Sequence, residues 1–400
     1  MTRYRQVLAV PGMTPLLGIA LLGRAAITAD AIALTMYVVL ALDLSYAAAG
    51  VVVAVLTAGV AVGGPVLGRM IDRRGLRAVL LATIGAQLLF WLSVPILSYV
   101  VLLPATLAAG LLMIPVQPVT RQAIAAMTTA EQRRAAFALE SVMGELSYIV
   151  GPAVVIVFAA QASAGTAAWG LGAAIVAGGV GLMLLNPPLR SAHEAAASPA
   201  ARPTRREWLG APMIAVLVMA FGITMLLGGI DLAIVATLEH AGQVSWAALV
   251  IGVLGAASVV GGLVYGALPR PMPTWLLLGL LGLLTIPAGL ARDWPWLCVA
   301  VLGAGLLTAP TLSTVADAVS RLAPASVRGE ATGLQSSALS TGFALGAPIV
   351  GVAIDAISPA AGFATAGLAG LIAALVGRVL MRRSTLTPRP SEPDQARAAV

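Results

Sequence analysis

Apolar residues run along this chain in stretches of about twenty, cut by short clusters of arginine, proline and glycine. A helix rises about 1.5 Å per residue, so roughly 20 apolar residues cross about 30 Å of hydrocarbon. Twelve such stretches are predicted. The first six are 15–38, 46–68, 77–98, 102–124, 135–158 and 165–186; the second six are 212–237, 244–267, 273–291, 295–319, 329–353 and 360–380. An open strand in lipid would leave backbone groups unpaired, so each stretch is read as a helix. The expected fold is an all-α membrane protein, with twelve transmembrane helices in two pseudo-symmetric six-helix bundles.

The division into halves rests on residues 187–210, which are polar, basic and rich in alanine and proline, as a linker should be. It separates an N-terminal bundle, residues 1–186, from a C-terminal bundle, residues 211–381. A polar tail, residues 382–400, is expected to be disordered. A shift of 195 residues lays Arg133 on Arg328, Leu139 on Leu334, Ser141 on Ser336 and Gly151 on Gly346. The matched segments are the fifth and eleventh stretches, each with the short basic loop that leads into it. Parallel six-helix repeats are one transporter layout, with substrate bound between them near mid-membrane.

Composition agrees with this pattern: 60% of the 400 residues are hydrophobic and only 10% charged, too few to wet a soluble surface. All 23 basic residues are arginine. The net charge of +7 would suggest nucleic acid in a soluble domain, but the positive-inside rule explains it better and no nucleic-acid partner is expected. With the N-terminus inside, Arg69, Arg73, Arg74, Arg77, Arg133, Arg134, Arg190 to Arg206, Arg270, Arg321, Arg328 and the tail arginines are all cytoplasmic. The outer loops hold Asp43, Glu239, Asp355 and the pair Arg292–Asp293. Both termini are therefore expected in the cytoplasm, with the chain multi-pass in the inner cell membrane. The start, MTRYRQVLAVPGM, lacks a small-residue cleavage site after a short apolar stretch, so the first span should stay as an anchor. A lone Cys298 and two distant histidines, His193 and His240, offer neither a disulfide framework nor a metal cluster.

The second and third stretches are joined by Gly68-Arg69-Met70-Ile71-Asp72-Arg73-Arg74-Gly75-Leu76-Arg77. This resembles the Gly-x-x-x-Asp-Arg-x-Gly-x-Arg signature of the major facilitator superfamily, here of a bacterial drug or metabolite efflux type. Gly68, Asp72, Arg73, Gly75 and Arg77 hold their places; Leu76 stands where a second basic residue is common. The resemblance implies a latch, with Asp72 accepting hydrogen bonds near the start of the eleventh helix, where the helix dipole favours an anion. Arg73 or Arg77 is expected to pair with Glu131. Alternatively the arginines only set topology. The second-half counterpart, Tyr265-Gly266-Ala267-Leu268-Pro269-Arg270, has no acid, so the latch is one-sided.

The fifth stretch contains Gly144, Gly151 and Pro152, which partly resembles the antiporter signature of the same superfamily; the trailing glycines are absent. The resemblance implies antiport. The two glycines, seven residues apart, share one helix face and permit tight packing.

Ionisable residues within the spans include Arg24, Asp30, Glu140, Glu145, Asp231 and Asp317. Each costs roughly 2.5–3.5 kcal/mol at mid-bilayer, so each should face a cavity or a partner. Asp30 is favoured as a proton or substrate site, with Asp231 its counterpart in the other half. Arg24 either binds an anionic group or pairs with an acid on the fifth helix. Glu145 shares a stripe with Ser141, Tyr148 and Pro152 that suits a polar pathway. Glu140 is expected to bond Arg121, and Asp317 to form an i,i+4 pair with Arg321. Tyr37, a heptad after Asp30, is the aromatic candidate for substrate contact, the other aromatics being interfacial anchors.

These readings converge on secondary transport: proton-coupled antiport exporting small amphipathic or hydrophobic compounds, by rocking of two halves. Symport, or export of one metabolite such as a sugar, is the near rival. The spans hold no histidine, cysteine cluster or Ser–His arrangement for an enzyme, and a chain without lysine has no phosphate-binding Gly-Lys loop for an ATP-driven pump. The expected partners are a small-molecule substrate, protons and the lipid bilayer. No cofactor is expected, and the protein should act as a monomer.

Overall fold

A computed structural model of the chain describes residues 2–161, 163–196, 203–268 and 270–386. Its membrane helices are α1 (Met13–Ala41), α2 (Tyr46–Arg74), α3 (Leu76–Ile96), α4 (Tyr99–Met127), α5 (Ala130–Phe158), α6 (Ala164–Leu185), α7 (Ala211–His240), α8 (Val244–Ala267), α9 (Thr274–Leu290), α10 (Trp294–Leu322), α11 (Ala325–Ala356) and α12 (Pro359–Arg382). Eleven are long and apolar enough to cross a membrane, and α9 is the shorter twelfth. The face holding residue 2, the linker and the α2–α3 turn is termed basal, the opposite one distal.

Polar residues mark the helix starts. Ser45 accepts the Ala48 N–H at 3.2 Å to open α2, and Asp293 accepts that of Trp296 at 3.2 Å to open α10. Gly75, at φ 83°, lets α2 stop and α3 begin within one residue, a backbone that a side chain would strain. Several helices are irregular, α1, α4 and α9 among them. In α1 the regular turns break at Ala29 and end in a π-turn over Tyr37–Ala41. In α4 a helix ending at Leu111 restarts at Val116, just after Pro115. In α9 the chain narrows to a 3-10 turn at Ile286–Leu290, where Pro287 cannot donate.

Each half has its own apolar core. Within the first, α1 packs on α5 and α6, α2 on α4, and α3 on α6. Within the second, α7 packs on α11 and α12, α8 on α10, and α9 on α12. Adding six to each number of the first set yields the second, so the halves are structural repeats. They meet through α2 against α11 and α5 against α8, again related by the same exchange. Two linker segments are helical, Ala192–Ala196 and Arg205–Trp208. The last helix continues to Leu386, so 382–386 extend α12 and are no tail; 387–400 lie outside the described residues.

Candidate functional site

At the basal face the halves are held by α2 and α11. Asp72 takes the Gly329 N–H on Oδ1 and the Glu330 N–H on Oδ2, both at 2.9 Å. A helix start has orphan N–H groups and a positive dipole end, so a carboxylate satisfies both needs there. The approach depends on Gly68, where an added Cβ would run into the Gly329 carbonyl. Two turns further in, the Ser337 hydroxyl donates to Ala61 O at 2.5 Å. Buried Glu330 receives Arg205 of the linker at 2.6 Å, with Arg69 Nε at 3.9 Å. Arg328 forms a two-pronged pair with Glu194 of the linker, at 2.8 and 3.2 Å. Those hydrogen bonds hold the Glu194 carboxyl well below the usual range, at about 2.

Deeper in the N-terminal half lies a buried ionic network. Glu140 pairs with Arg24 through one oxygen and with Arg121 at 3.3 Å through the other. The Gln117 amide oxygen, turned toward the arginines, accepts from Arg24 Nη2 at 3.3 Å and Arg121 Nη2 at 3.1 Å. The same amide meets the Ser336 hydroxyl of α11 at 3.3 Å, which carries the network across to the second half. Gly144 makes room for it, since a Cβ there would strike the Arg24 guanidinium; Gly151 likewise seats the Ala25 carbonyl. The two glycines therefore dock α5 onto α1. Two cations share one carboxylate in this network, leaving one positive charge in excess.

At mid-depth Glu145 lies in the field of Arg24 and in that of Asp231, a carboxylate from α7 in the other half. Ser258 of α8 lies beside Glu145, and its oxygen accepts the Ala309 N–H of α10 at 3.1 Å. Tyr148, one turn beyond Glu145, is within electrostatic reach of both carboxylates. Its ring meets Phe343 of α11 edge-to-face at 5.7 Å, and the two rings are 44% and 37% exposed. Carboxylates, a hydroxyl and open aromatic rings from both halves thus converge beside the excess charge of Arg24. Among the described residues, every hydrogen bond between the halves lies from this depth to the basal face.

Several sequence expectations place differently. Asp30 is buried inside the first half at the break in α1, where its Oδ1 takes the Ala31 N–H at 2.6 Å. It is not part of the Glu145–Asp231 group. Tyr37 is buried too, and its hydroxyl donates to the Leu97 carbonyl at 3.2 Å, which pins α1 to the α3–α4 connection. Arg73 and Arg77 are exposed, and among the described residues neither pairs with Glu131. Asp317 and Arg321, by contrast, pair at 2.6 Å as their i,i+4 spacing predicts. Sequence reasoning did not single out Gln117, Ser258, Glu194 or Glu330. A polar side chain within an apolar stretch is the signal for the first two, and an acid beside a basic loop for the others.

Residues 16–291 and 213–399 match the model of the Major Facilitator Superfamily, and the chain belongs to that family. No curated protein sequence matches it. Solved structures similar in fold include the human organic anion transporter MFSD10, with TM-score 0.70 and 14% identity over 94% of this chain and 99% of that one. A bacterial homologue of the iron transporter ferroportin in the outward-facing state has TM-score 0.71 and 14% identity over 94% and 99%. The E. coli fucose:proton symporter has TM-score 0.71 and 12% identity over 94% and 99%. A proton:xylose symporter has TM-score 0.66 and 15% identity over 93% and 95%. The protein is thus a membrane transporter of small molecules.

Proposed function

We propose that the protein is a proton-coupled antiporter that exports small amphipathic or hydrophobic compounds by alternating access, with Glu145 and Asp231 as the exchange site. The observation that carries this reading is the convergence of two carboxylates, one from each half, beside half-exposed rings. Like charges in one low-dielectric site disfavour double ionisation, so a proton or a positively polarised substrate group relieves them alternately. Ionised Glu145 also offsets the excess charge of Arg24, and a proton taken there removes that balance. The site then favours a different packing of the halves, which is the differential interaction a two-state transporter requires. The arginine bias supports a cytoplasmic basal face. The latched state then corresponds to one open outward.

Substrate binding to purified protein in weakly buffered detergent tests the exchange. Antiport predicts proton release on binding, absent in Glu145→Gln. No release at any pH between 5 and 8 contradicts it. Symport of one metabolite such as a sugar is the second reading, favoured by the fold likeness to two proton-coupled sugar symporters; it predicts proton uptake instead.

A further inference from the structure

Away from the seam between the halves, the second half carries a small basic cleft of about 220 Å3, lined by Trp275, Arg378, Met381 and Arg382. Trp275 is the second residue of α9, and Arg382 is the last of the α12 span, so the cleft sits at the basal edge of the hydrocarbon. Arg378 lies one turn deeper, about 6 Å further into the span. Its guanidinium covers the Trp275 ring at 4.4 Å from the centroid.

That stack uses the face of the guanidinium and leaves its in-plane N–H groups to be satisfied. No carboxylate does so: among the described residues Arg378 has no ion pair. Neither α9 nor α12 contains an aspartate or glutamate. Leaving such a group without an acceptor at the membrane edge is costly. Leu375 and Val379, on either side of Arg378 in the chain, are 61% and 42% exposed and belong to the lipid-facing surface of α12.

We propose that this cleft binds a phosphate ester, and specifically the headgroup of an anionic phospholipid of the basal leaflet. A phosphodiester supplies the two coplanar acceptor oxygens that match a guanidinium fork. Arg382 adds a second positive charge, and Trp275 provides the amphipathic wall usual at this depth. The acyl chains extend along the apolar outer surface that continues from Leu375. Basic pockets between transmembrane helices are general sites for such headgroups. A free phosphate anion has the same headgroup chemistry but gains nothing from the apolar surface.

Native mass spectrometry of the detergent-purified full chain tests this with three probes: phosphatidylglycerol, phosphatidylcholine and inorganic phosphate. Wild type should retain phosphatidylglycerol in preference to phosphatidylcholine, and bind no inorganic phosphate. Arg378→Gln should reduce that preference about fivefold, as expected for one arginine beside an anionic headgroup. Arg382→Gln, at the more exposed position, serves as the second variant if Arg378→Gln does not fold. Equal retention of both lipids, or a preference unchanged in the variants, overturns the site. Binding of inorganic phosphate as strong as that of phosphatidylglycerol overturns the lipid as its occupant.

Discussion

Asp72 and Gly329 are 257 residues apart, yet the carboxylate Oδ1 of one accepts the backbone N–H of the other at 2.9 Å. With the Glu330 N–H on the second oxygen, one side chain of the first half caps a helix of the second. A hydrogen bond to a charged group contributes about 1.5–3 kcal/mol. Asp72→Ala should therefore raise the basal-open population at least tenfold, since about 1.4 kcal/mol is a factor of ten. Spin labels at the exposed positions of Arg77 and Arg270 read the change as a shift to longer distances. An unaltered distance distribution means that other contacts hold the face closed.

Gly68 sets how closely α2 and α11 approach. Gly68→Val places atoms where the Gly329 carbonyl now lies, so the basal face cannot close. Transport should fall by about tenfold or more on the same scale, at unchanged expression, with the longer spin-label distances seen for Asp72→Ala. Wild-type flux in this variant contradicts the close-approach argument.

Glu140 is 1% exposed and partners two arginines. Removing one partner from a buried ion pair costs about 3–5 kcal/mol. Glu140→Ala strands two guanidiniums, whereas Arg24→Ala leaves the Glu140–Arg121 pair intact. Thermal unfolding in detergent should show a larger loss for Glu140→Ala than for Arg24→Ala. The opposite order means the network does not carry its charge as described.

The helix count and the α2–α3 signature were legible in sequence because both are local: apolar runs set spans, and a turn with a required glycine sets the signature. The facing of single side chains was not. A carboxylate within a span reads the same whether it points into a bundle or a cavity. Asp30 follows the break at Ala29 and is buried, and nothing in the surrounding alanines announces either. Tyr37 follows Asp30 at heptad spacing, yet the π-turn beginning there interrupts the regular helix. Gly144 was legible as a place of close approach, but its neighbour is an arginine on a helix 120 residues earlier.

The linker is tied down by the Glu194–Arg328 pair, and the pH dependence of that tie has a definite sign. A carboxyl depressed from its ordinary value, about 4.3, contributes stability that is present above that value. The contribution disappears only as pH falls through the folded value, about 2. Hydrogen exchange at residues 192–196, corrected for its intrinsic pH dependence, should therefore stay constant from pH 8 to 5. Glu194→Gln should raise it throughout. A tie that loosens between pH 8 and 6 contradicts this assignment.

Uphill flux in proteoliposomes under an imposed pH gradient, comparing wild type, Glu145→Gln, Asp231→Asn and Asp30→Asn across dyes, drugs and sugars, bears most strongly on proton coupling at the seam. Wild type should accumulate its substrate against a gradient. Glu145→Gln and Asp231→Asn should only equilibrate it, and Asp30→Asn should still accumulate it. Undiminished accumulation by both Glu145→Gln and Asp231→Asn, or its loss in Asp30→Asn alone, contradicts the assignment of proton exchange to the Glu145–Asp231 pair.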